Sequence, residues 1–176
     1  MRYLKIPKER IGVLIGPNGE TKNTIEKQAH VYLEIDSQEG EVTIDDHESK
    51  DPLSAFNAEN IIRAIGRGFS PEHALQLLKE DIDLFLFDIH DYVSKKGHHV
   101  HRLKSRVIGT QGKTKNTIEN LTGSQLCVYG HTIGIIGEFE VMEVTKKAID
   151  MLLSGSKHAS VYRYLEREMK HIRLGL

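Results

Sequence analysis

Two glycines separated by two residues and followed by lysines give this chain its clearest candidate for a binding site. The stretch reads Arg106-Val107-Ile108-Gly109-Thr110-Gln111-Gly112-Lys113-Thr114-Lys115. Glycine allows a tight turn and the close approach of another backbone. The residues after Gly112 have the pattern of a helix, and the first amides of a helix lack internal partners and carry partial positive charge. With Lys113 and Lys115 beside it, this turn is suited to holding the phosphates of a sugar-phosphate backbone.

The same pattern occurs earlier in the chain, and the repeat predicts two copies of one domain. Gly16-Pro17-Asn18-Gly19 precedes Glu20-Thr21-Lys22-Asn23-Thr24-Ile25-Glu26, which parallels the run from Gly109 to Glu119. We expect a first domain with a connecting helix over residues 1–80, and a second domain with a C-terminal helix over residues 81–176. Each is near the lower end of the usual size of a domain.

Hydrophobic periodicity predicts the order strand, helix, helix, strand, strand, helix in each half. The predicted strands cover residues 2–7, 31–35, 41–44, 82–89, 125–129 and 132–136. The predicted helices cover residues 8–15, 20–30, 51–65, 102–108, 113–121 and 138–153, with two further helices beginning at Ser70 and spanning 157–173. Asp51 and Pro52 are the predicted start of the third helix, because aspartate caps helices and proline fits their first position.

Charge is distributed unevenly between the halves, although the formal net charge is only −1. No acidic residue occurs between Tyr92 and Ile118, and the cations there surround the second glycine pair, as expected of a local nucleic-acid site. The basic residues and histidines of this segment are Lys95, Lys96, Arg102, Lys104, Arg106, Lys113, Lys115, His98, His99 and His101. Residues 26–59 are instead rich in aspartate and glutamate. We therefore expect the second copy to be the main RNA contact, and the first to bind RNA more weakly or to face a protein.

Catalytic and metal chemistry are not predicted. No spacing singles out a nucleophile with its base, so we assign no catalytic residue, no cofactor and no enzymatic activity. His98, His99 and His101 are expected in a loop or facing RNA, because no matched ligand set accompanies them. Gly112-Lys113-Thr114 matches the end of a nucleotide-binding P-loop, but that loop needs a glycine where Val107 stands. Nucleotide hydrolysis is therefore the weakest alternative.

The compartment can also be inferred from composition. Cys127 is the single cysteine, which rules out an intrachain disulfide and suits a reducing environment. It lies in an apolar run and is expected to be a small core residue. No run approaches the ~20 apolar residues that a membrane span needs. These features predict a soluble, cytoplasmic protein without a membrane partner.

Two longer strings carry a resemblance to a known family. Residues Gly112-Lys113-Thr114-Lys115-Asn116-Thr117-Ile118-Glu119-Asn120 and Ala64-Ile65-Gly66-Arg67-Gly68-Phe69-Ser70-Pro71-Glu72 are similar to those of the Partner-of-Nob, or Dim-type, proteins and their Krr relatives. The order of elements is similar to that of type I KH domains, whose Gly-x-x-Gly loop clamps four nucleotides. Lys22 and Lys115 depart from the general KH pattern, which has an apolar residue at that position. The chain begins at its first strand and keeps the first Gly-x-x-Gly, and in this it resembles an archaeal member.

The resemblance implies a fold and a function. The fold is α+β, with two tandem type I KH domains, each a three-stranded antiparallel sheet with helices packed on one face. The function is that of a ribosome-assembly factor, which binds single-stranded rRNA near the 3′ end of the small-subunit RNA and assists its maturation. The implied partners are the endonuclease that matures this end, a dimethylase, or translation factors, reached in part through the first domain. The alternatives are a protein-interaction scaffold and a general KH-type adaptor for mRNA or the exosome.

The expected RNA contacts follow the two loops. In the second copy they are Arg102, Arg106, Val107, Ile108, Gly109, Thr110, Gln111, Gly112, Lys113 and Lys115. In the first copy they are Gly16, Pro17, Asn18, Gly19 and Lys22. We expect Val107 and Ile108 to form one wall of a groove, and the strand from Leu126 to Tyr129 to face the bases. For Tyr129, stacking on a base and a structural role remain equal alternatives.

Overall fold

The computed structural model describes residues 1–93 and 96–176 and divides into two compact units, Met1–Glu80 and Asp81–Leu176. The first unit contains β1 (Arg2–Lys5), α1 (Lys8–Ile15), α2 (Glu20–Ala29), β2 (Tyr32–Asp36), β3 (Glu41–Asp45), α3 (Ser54–Gly66) and α4 (Pro71–Ala74). The second contains β4 (Ile82–Asp88), α5 (Gly97–Ile108), α6 (Lys113–Thr122), β5 (Gln125–Tyr129), β6 (Thr132–Glu138), α7 (Phe139–Leu153) and α8 (His158–Arg173). Lys95, one of the cations expected near the second loop, lies outside the described residues.

Both units build their sheets in the same way. The strand order is β1-β3-β2 in the first unit and β4-β6-β5 in the second, and all neighbouring strands are antiparallel. Ile135 at the middle of β6 pairs with Phe85 on one side and with Leu126 on the other. The order of elements and the antiparallel sheets confirm the predicted α+β fold. In each unit, β2 or β5 is the outer strand that follows the helix of the glycine loop.

The core of the second unit lies between the sheet and its helices. Ile133 and Ile135 of β6 are fully buried, as are Val107 of α5, Ile118 of α6 and Ile149 of α7. Each large aliphatic side chain buried in this way contributes roughly 1.5–3 kcal/mol. The core therefore fixes α5 and α6, and with them the two ends of the glycine loop.

The last helix, α8, belongs to the same core. Its apolar stripe of Val161, Leu165 and Met169 is buried, and the helix packs on α6 and α7. The helical spacing of these residues predicted the stripe. No helix in the described part of the chain is long and apolar enough to cross a membrane.

Two predicted helix starts differ from the structure. Helix α3 begins at Ser54 rather than at Asp51, because the Asp51 carboxylate accepts a hydrogen bond from Leu53 N at 2.9 Å in a turn that precedes the helix. Helix α5 begins at Gly97 rather than at Arg102. The start at Ser70 is as predicted, since its hydroxyl accepts a hydrogen bond from His73 N at 3.3 Å.

Candidate nucleic-acid interface

The second glycine loop turns the chain from α5 into α6 with three residues at positive φ. These angles are 75° at Gly109, 54° at Gln111 and 76° at Gly112. The first loop has nearly the same conformation, with 73° at Gly16, 52° at Asn18 and 76° at Gly19. The repeat in sequence is therefore a repeat in backbone geometry, and the two loops differ in the side chains that they present.

The two glycines of the loop are needed for different reasons. A Cβ on Gly109 would lie 2.7 Å from the backbone N of Thr114, closer than real Cβ atoms come to backbone. A Cβ on Gly112 would meet only the Asn116 Nδ2, at 3.8 Å. The first glycine thus lets the turn close against α6, whereas the second leaves open space above the loop. That space is where a phosphate backbone can approach.

The N-terminus of α6 adds positive potential to this open surface. The helix has ten residues, and no side chain caps it at Gly112. Its dipole therefore points its positive end at the loop. The exposed Lys113 begins the helix, and the equivalent position in the first copy holds the exposed Glu20. The same backbone thus attracts phosphate in the second copy and is less favourable to it in the first.

An open groove of about 700 Å³ runs beside the second loop. It is lined by His101, Arg102, Ser105 and Arg106 of α5, Gly109 and Thr110 of the loop, Lys113 and Thr114 of α6, and His158 and Tyr162 of α8. Tyr162 OH donates a hydrogen bond to Thr114 Oγ1 at 3.2 Å, and His158 Nε2 lies 2.9 Å from the carbonyl oxygen of Arg106. Helix α8 is therefore one wall of the groove at the loop.

Sequence reasoning did not place His158 and Tyr162 at the site. The buried stripe of α8 indicated a helix that packs on a domain, but a stripe does not say which neighbour it covers. His101 was expected in a loop or facing RNA, and the structure places it on α5 with His98 and His99. His98 and His101 are exposed, and His99 is partly buried. Val100 and Leu103 pack against the core at helical spacing, and this pattern was the available signal for the longer helix.

Two of the predicted contact residues make structural contacts. Val107 is fully buried in the core, so its side chain does not reach a groove wall. Arg106 donates from Nε to the Leu152 carbonyl at 2.9 Å and from Nη2 to the Ser156 carbonyl. Because these bonds hold Arg106 against the end of α7, its side chain is fixed in one position, where it lines the groove. Ile108 is partly buried, and Arg102 and Lys113 are exposed.

Lys115 is part of a chain of contacts that leads to the outer strand. Its Nζ lies 3.5 Å from Glu119 Oε1, and the same oxygen accepts a hydrogen bond from Leu126 N in β5 at 2.9 Å. In the first copy, Lys22 Nζ lies 3.6 Å from Glu26 Oε1, which accepts a hydrogen bond from Leu33 N in β2 at 2.8 Å. The lysines that replace the usual apolar residue are thus positioned, in both copies, by a glutamate that also binds the edge of the sheet.

The outer strand β5 is the expected surface for bases. Leu126 is 4% exposed and belongs to the core, so only its backbone can contribute to a base contact. Cys127, Val128 and Tyr129 are partly buried. The predicted strand contact is therefore limited to main-chain groups and to the side chains after Leu126.

The first unit presents a different surface. Glu34, Asp36 and Glu41 are exposed on its sheet, and Lys5 Nζ lies 3.9 Å from Glu41 Oε1. Tyr3 is 74% exposed. An acidic sheet with exposed aromatic residues repels a phosphate backbone and is compatible with a protein partner.

Comparisons with known proteins connect this geometry to a family. Residues 84–170 match a model for the second KH domain of PNO1, described as a eukaryotic type KH-domain (KH-domain type I), and residues 1–78 match the KH domain model. A KH domain-containing protein of Methanocaldococcus jannaschii is 50% identical over 98% of this chain and 76% of its own length. The pre-rRNA-processing protein pno1 of Schizosaccharomyces pombe is 30% identical over 77% of this chain, and the match spans 58% of that protein.

A solved structure is similar over both units. A chain in the crystal structure of the a/eIF2alpha-aDim2p-rRNA complex from Pyrococcus horikoshii is 46% identical to this chain, with a TM-score of 0.89. The match covers 96% of this chain and 93% of that one. The relative was thus crystallised in a complex that contains rRNA.

Proposed function

The chain belongs to the PNO1/Dim2-type family of KH-domain proteins, and from this membership we propose that it is an rRNA-binding ribosome-assembly factor. Its proposed target is single-stranded RNA near the 3′ end of the small-subunit rRNA. The observation that carries the proposal is the second glycine loop, which combines open space at Gly112, an uncapped helix N-terminus and the exposed Lys113. The single cysteine suits a reducing compartment, and we assign the role to the cytoplasm.

The proposed mechanism is a clamp on the RNA backbone. Phosphates of a single strand lie over the loop from Gly109 to Gly112, where the amides and dipole of α6 attract them. Arg102, Lys113 and Lys115 neutralise phosphate charge, while the fixed Arg106 shapes the groove wall. These contacts position the RNA without reading its sequence. Sequence preference arises where bases meet the edge of β5, and no bond-breaking step is assigned to this chain.

The first unit has a second proposed role as a docking surface for a protein. The observation in its favour is the exposed acidic sheet with Glu34, Asp36 and Glu41. The complex of the Pyrococcus relative contains a/eIF2alpha beside the rRNA, which makes a translation factor one candidate class of partner. A pull-down that survives nuclease treatment and is lost when these acids are replaced by lysine supports this role.

The central test compares two RNAs and four proteins by fluorescence anisotropy. The RNAs are an oligonucleotide from the 3′ end of the small-subunit rRNA and its scrambled version. The proteins are the wild type, Gly112→Asp, Gly19→Asp and the control Gly123→Asp. Gly123 closes the other end of α6 with a φ of 74° and has no neighbour within 4 Å of an added Cβ. The Gly123→Asp variant therefore introduces the same charge at a glycine of similar backbone conformation, at a position away from the loop.

We expect the wild type to prefer the 3′-end oligonucleotide and Gly112→Asp to weaken its binding by at least about tenfold, because a carboxylate placed against phosphate costs more than about 1.4 kcal/mol. Gly123→Asp should remain within about twofold of the wild type, and Gly19→Asp should have the smaller effect of the two loop variants. Binding that ignores both RNA sequence and Gly112→Asp would overturn the clamp and favour the scaffold role.

A further inference from the structure

Three potential metal ligands converge at the end of β4, outside the RNA groove. Asp88 Oδ1 lies 3.3 Å from His90 Nδ1 and 3.0 Å from His131 Nδ1. His90 follows Asp88 in the chain, whereas His131 comes from the turn between β5 and β6. All three ligand atoms lie within 4.8 Å of one another. Two imidazole nitrogens thus point at one carboxylate oxygen from separate segments.

The surrounding backbone holds this arrangement in place. Ile89 N donates to the His131 carbonyl at 2.8 Å, which ties the turn to the end of β4. Asp88 Oδ1 also accepts a hydrogen bond from His90 N at 2.9 Å. The rings of His90 and His131 stack with centroids 4.4 Å apart and an interplanar angle of 23°. These contacts bring the three side chains together in the folded chain without a ligand.

The cluster is accessible from solvent. The side chains of Asp88 and His131 are 46% and 42% exposed, so an ion can enter from solvent. The site is thus assembled by the fold and accessible.

The spacing of the ligands fits a small transition-metal ion. Zinc binds histidine nitrogen and carboxylate oxygen at about 2.0–2.2 Å, which places ligands of a tetrahedral site about 3.3–3.5 Å apart. The two carboxylate–imidazole separations, 3.3 and 3.0 Å, lie near this value, and a rotation of the stacked rings would turn both nitrogens toward one ion. Two imidazoles with one carboxylate favour zinc-class ions over magnesium and calcium, which prefer oxygen ligands.

We propose that Asp88, His90 and His131 form a binding site for a zinc-class divalent ion, with water completing the coordination. The sequence-based prediction of no metal considered only His98, His99 and His101, and the structure brings a different set together from residues distant in the chain. An ion at this site links the β5–β6 turn to the end of β4. Because the ligands converge only in the folded chain, the ion stabilises the native state.

The first unit contains a second cluster of potential metal ligands, which differs from the proposed site. Asp45, Asp46 and His47 also bring ligand atoms together, but they are consecutive, contain one imidazole and include the exposed His47. We expect this cluster to bind zinc-class ions more weakly, since it lacks the second nitrogen ligand. Weak binding at this second cluster is therefore the background signal that a metal titration must distinguish from binding at the proposed site.

The test is a titration of the full chain with Co²⁺ and then Zn²⁺, followed by visible absorption and calorimetry. The site variants are the double variant His90→Ala, His131→Ala and the single variant Asp88→Asn. The control is the double variant His98→Ala, His99→Ala, which removes two histidines of α5 that lie outside the proposed site. We expect one equivalent of metal in the wild type and in the control, with the cobalt d–d absorption of a site containing nitrogen ligands.

In the site variants we expect affinity to fall by at least about tenfold, consistent with loss of a ligand, and the zinc-induced rise in melting temperature to disappear. Asp88→Asn keeps the size and hydrogen-bonding shape of the side chain, so it tests the ligand even if the double variant unfolds. Equal metal affinity and stoichiometry in wild type and Asp88→Asn would overturn the proposal, as would wild-type binding no tighter than millimolar. RNA binding by the clamp is independent of either result.

Discussion

At the scale of single residues, the two glycines of the second loop have different roles. Gly109 has φ 75° and ψ 173°, a region that is essentially restricted to glycine, and its missing Cβ makes room for Thr114. Gly112 lies in the left-handed helical region, with open space where a Cβ would be. The first glycine therefore supports the fold, and the second supports access by a ligand.

This division of roles predicts that the two alanine variants lose different amounts of stability. Gly109→Ala should lower the free energy of unfolding by about 2–4 kcal/mol, from backbone strain together with the clash at Thr114 N. Gly112→Ala should cost only about 1 kcal/mol, the usual penalty of left-handed backbone for alanine. Urea denaturation monitored by circular dichroism measures both. Equal costs would show that the loop relaxes around Gly109 and that the close approach is not essential.

A tyrosine in the second unit gives the fold a defined sensitivity to alkali. Tyr92 OH donates to Asp150 Oδ1 at 2.7 Å, and burial together with this carboxylate raises the pKa of Tyr92 to about 12. The folded state therefore holds the phenol proton more tightly than the unfolded state, whose pKa is about 10. Its contribution to stability is complete below pH 10 and is lost as the pH rises toward 12.

Tyr92→Phe should accordingly flatten the fall in the free energy of unfolding between pH 10 and 12. At pH 7 the variant should cost about 1 kcal/mol for the lost hydrogen bond, since Asp150 is 43% exposed. Denaturant titrations across this pH range provide the measurement, with Tyr3→Phe as the control at a 74% exposed tyrosine. If the free energy of unfolding of both variants falls above pH 10 as steeply as that of the wild type, the Tyr92–Asp150 contact is not the cause of the alkaline destabilisation.

At the scale of elements, both units fasten the helix before the loop to the end of a later helix with an arginine. Arg106 of α5 donates to the carbonyl of Leu152 in the last turn of α7 and to the carbonyl of Ser156 beyond that helix. Arg10 of α1 binds the carbonyls of Ile65 at 2.8 Å and of Phe69 at 2.9 Å. In each unit a cation meets the negative end of a helix dipole and donates to carbonyls at or just beyond the end of the helix.

This symmetry predicts that Arg106 and Arg102 behave differently although both are cations of the basic segment. Arg106→Met should lower the free energy of unfolding by about 1.5–3 kcal/mol, because two carbonyls lose a charged donor. Arg102→Met should change stability by no more than about 0.5 kcal/mol, as is usual for exposed positions, while weakening RNA binding. Thermal melts and RNA titrations of the pair separate the two roles. A stable Arg106→Met protein with impaired RNA binding would instead support the predicted phosphate contact of Arg106.

The elements also show how far sequence reasoning reaches. The Gly-x-x-Gly spacing and the period-two strands predicted the turn and the sheets, because both depend on local backbone preferences. The role of Arg106 depends on Leu152 and Ser156, which are distant in the chain, so a local pattern of cations could not separate it from Arg102. The place of α8 beside the loop and the convergence of Asp88 with His131 depend on tertiary packing in the same way.

At the scale of the whole molecule, the two units share one backbone fold but differ in the charges of their side chains. The lysine–glutamate–strand contacts occur in both units, yet Glu20 stands in the first copy where Lys113 stands in the second. Acidic side chains on the first sheet add to this contrast. Because phosphate binding depends on the sum of local charges, duplication of the fold does not imply duplication of the RNA contact.

The salt dependence of RNA binding tests this asymmetry most directly. About four phosphate contacts on a single strand predict a slope of roughly −3 in a plot of log K against log salt concentration. Lys115 and Lys22 are matched positions, each within 4 Å of a glutamate one helical turn on. Lys115→Met should make the slope shallower by about 0.7, the share of one phosphate contact, whereas Lys22→Met should leave it unchanged. If Lys22→Met has the larger effect, the first copy is the main RNA contact; if the wild-type slope is near zero, phosphates are not clamped at all.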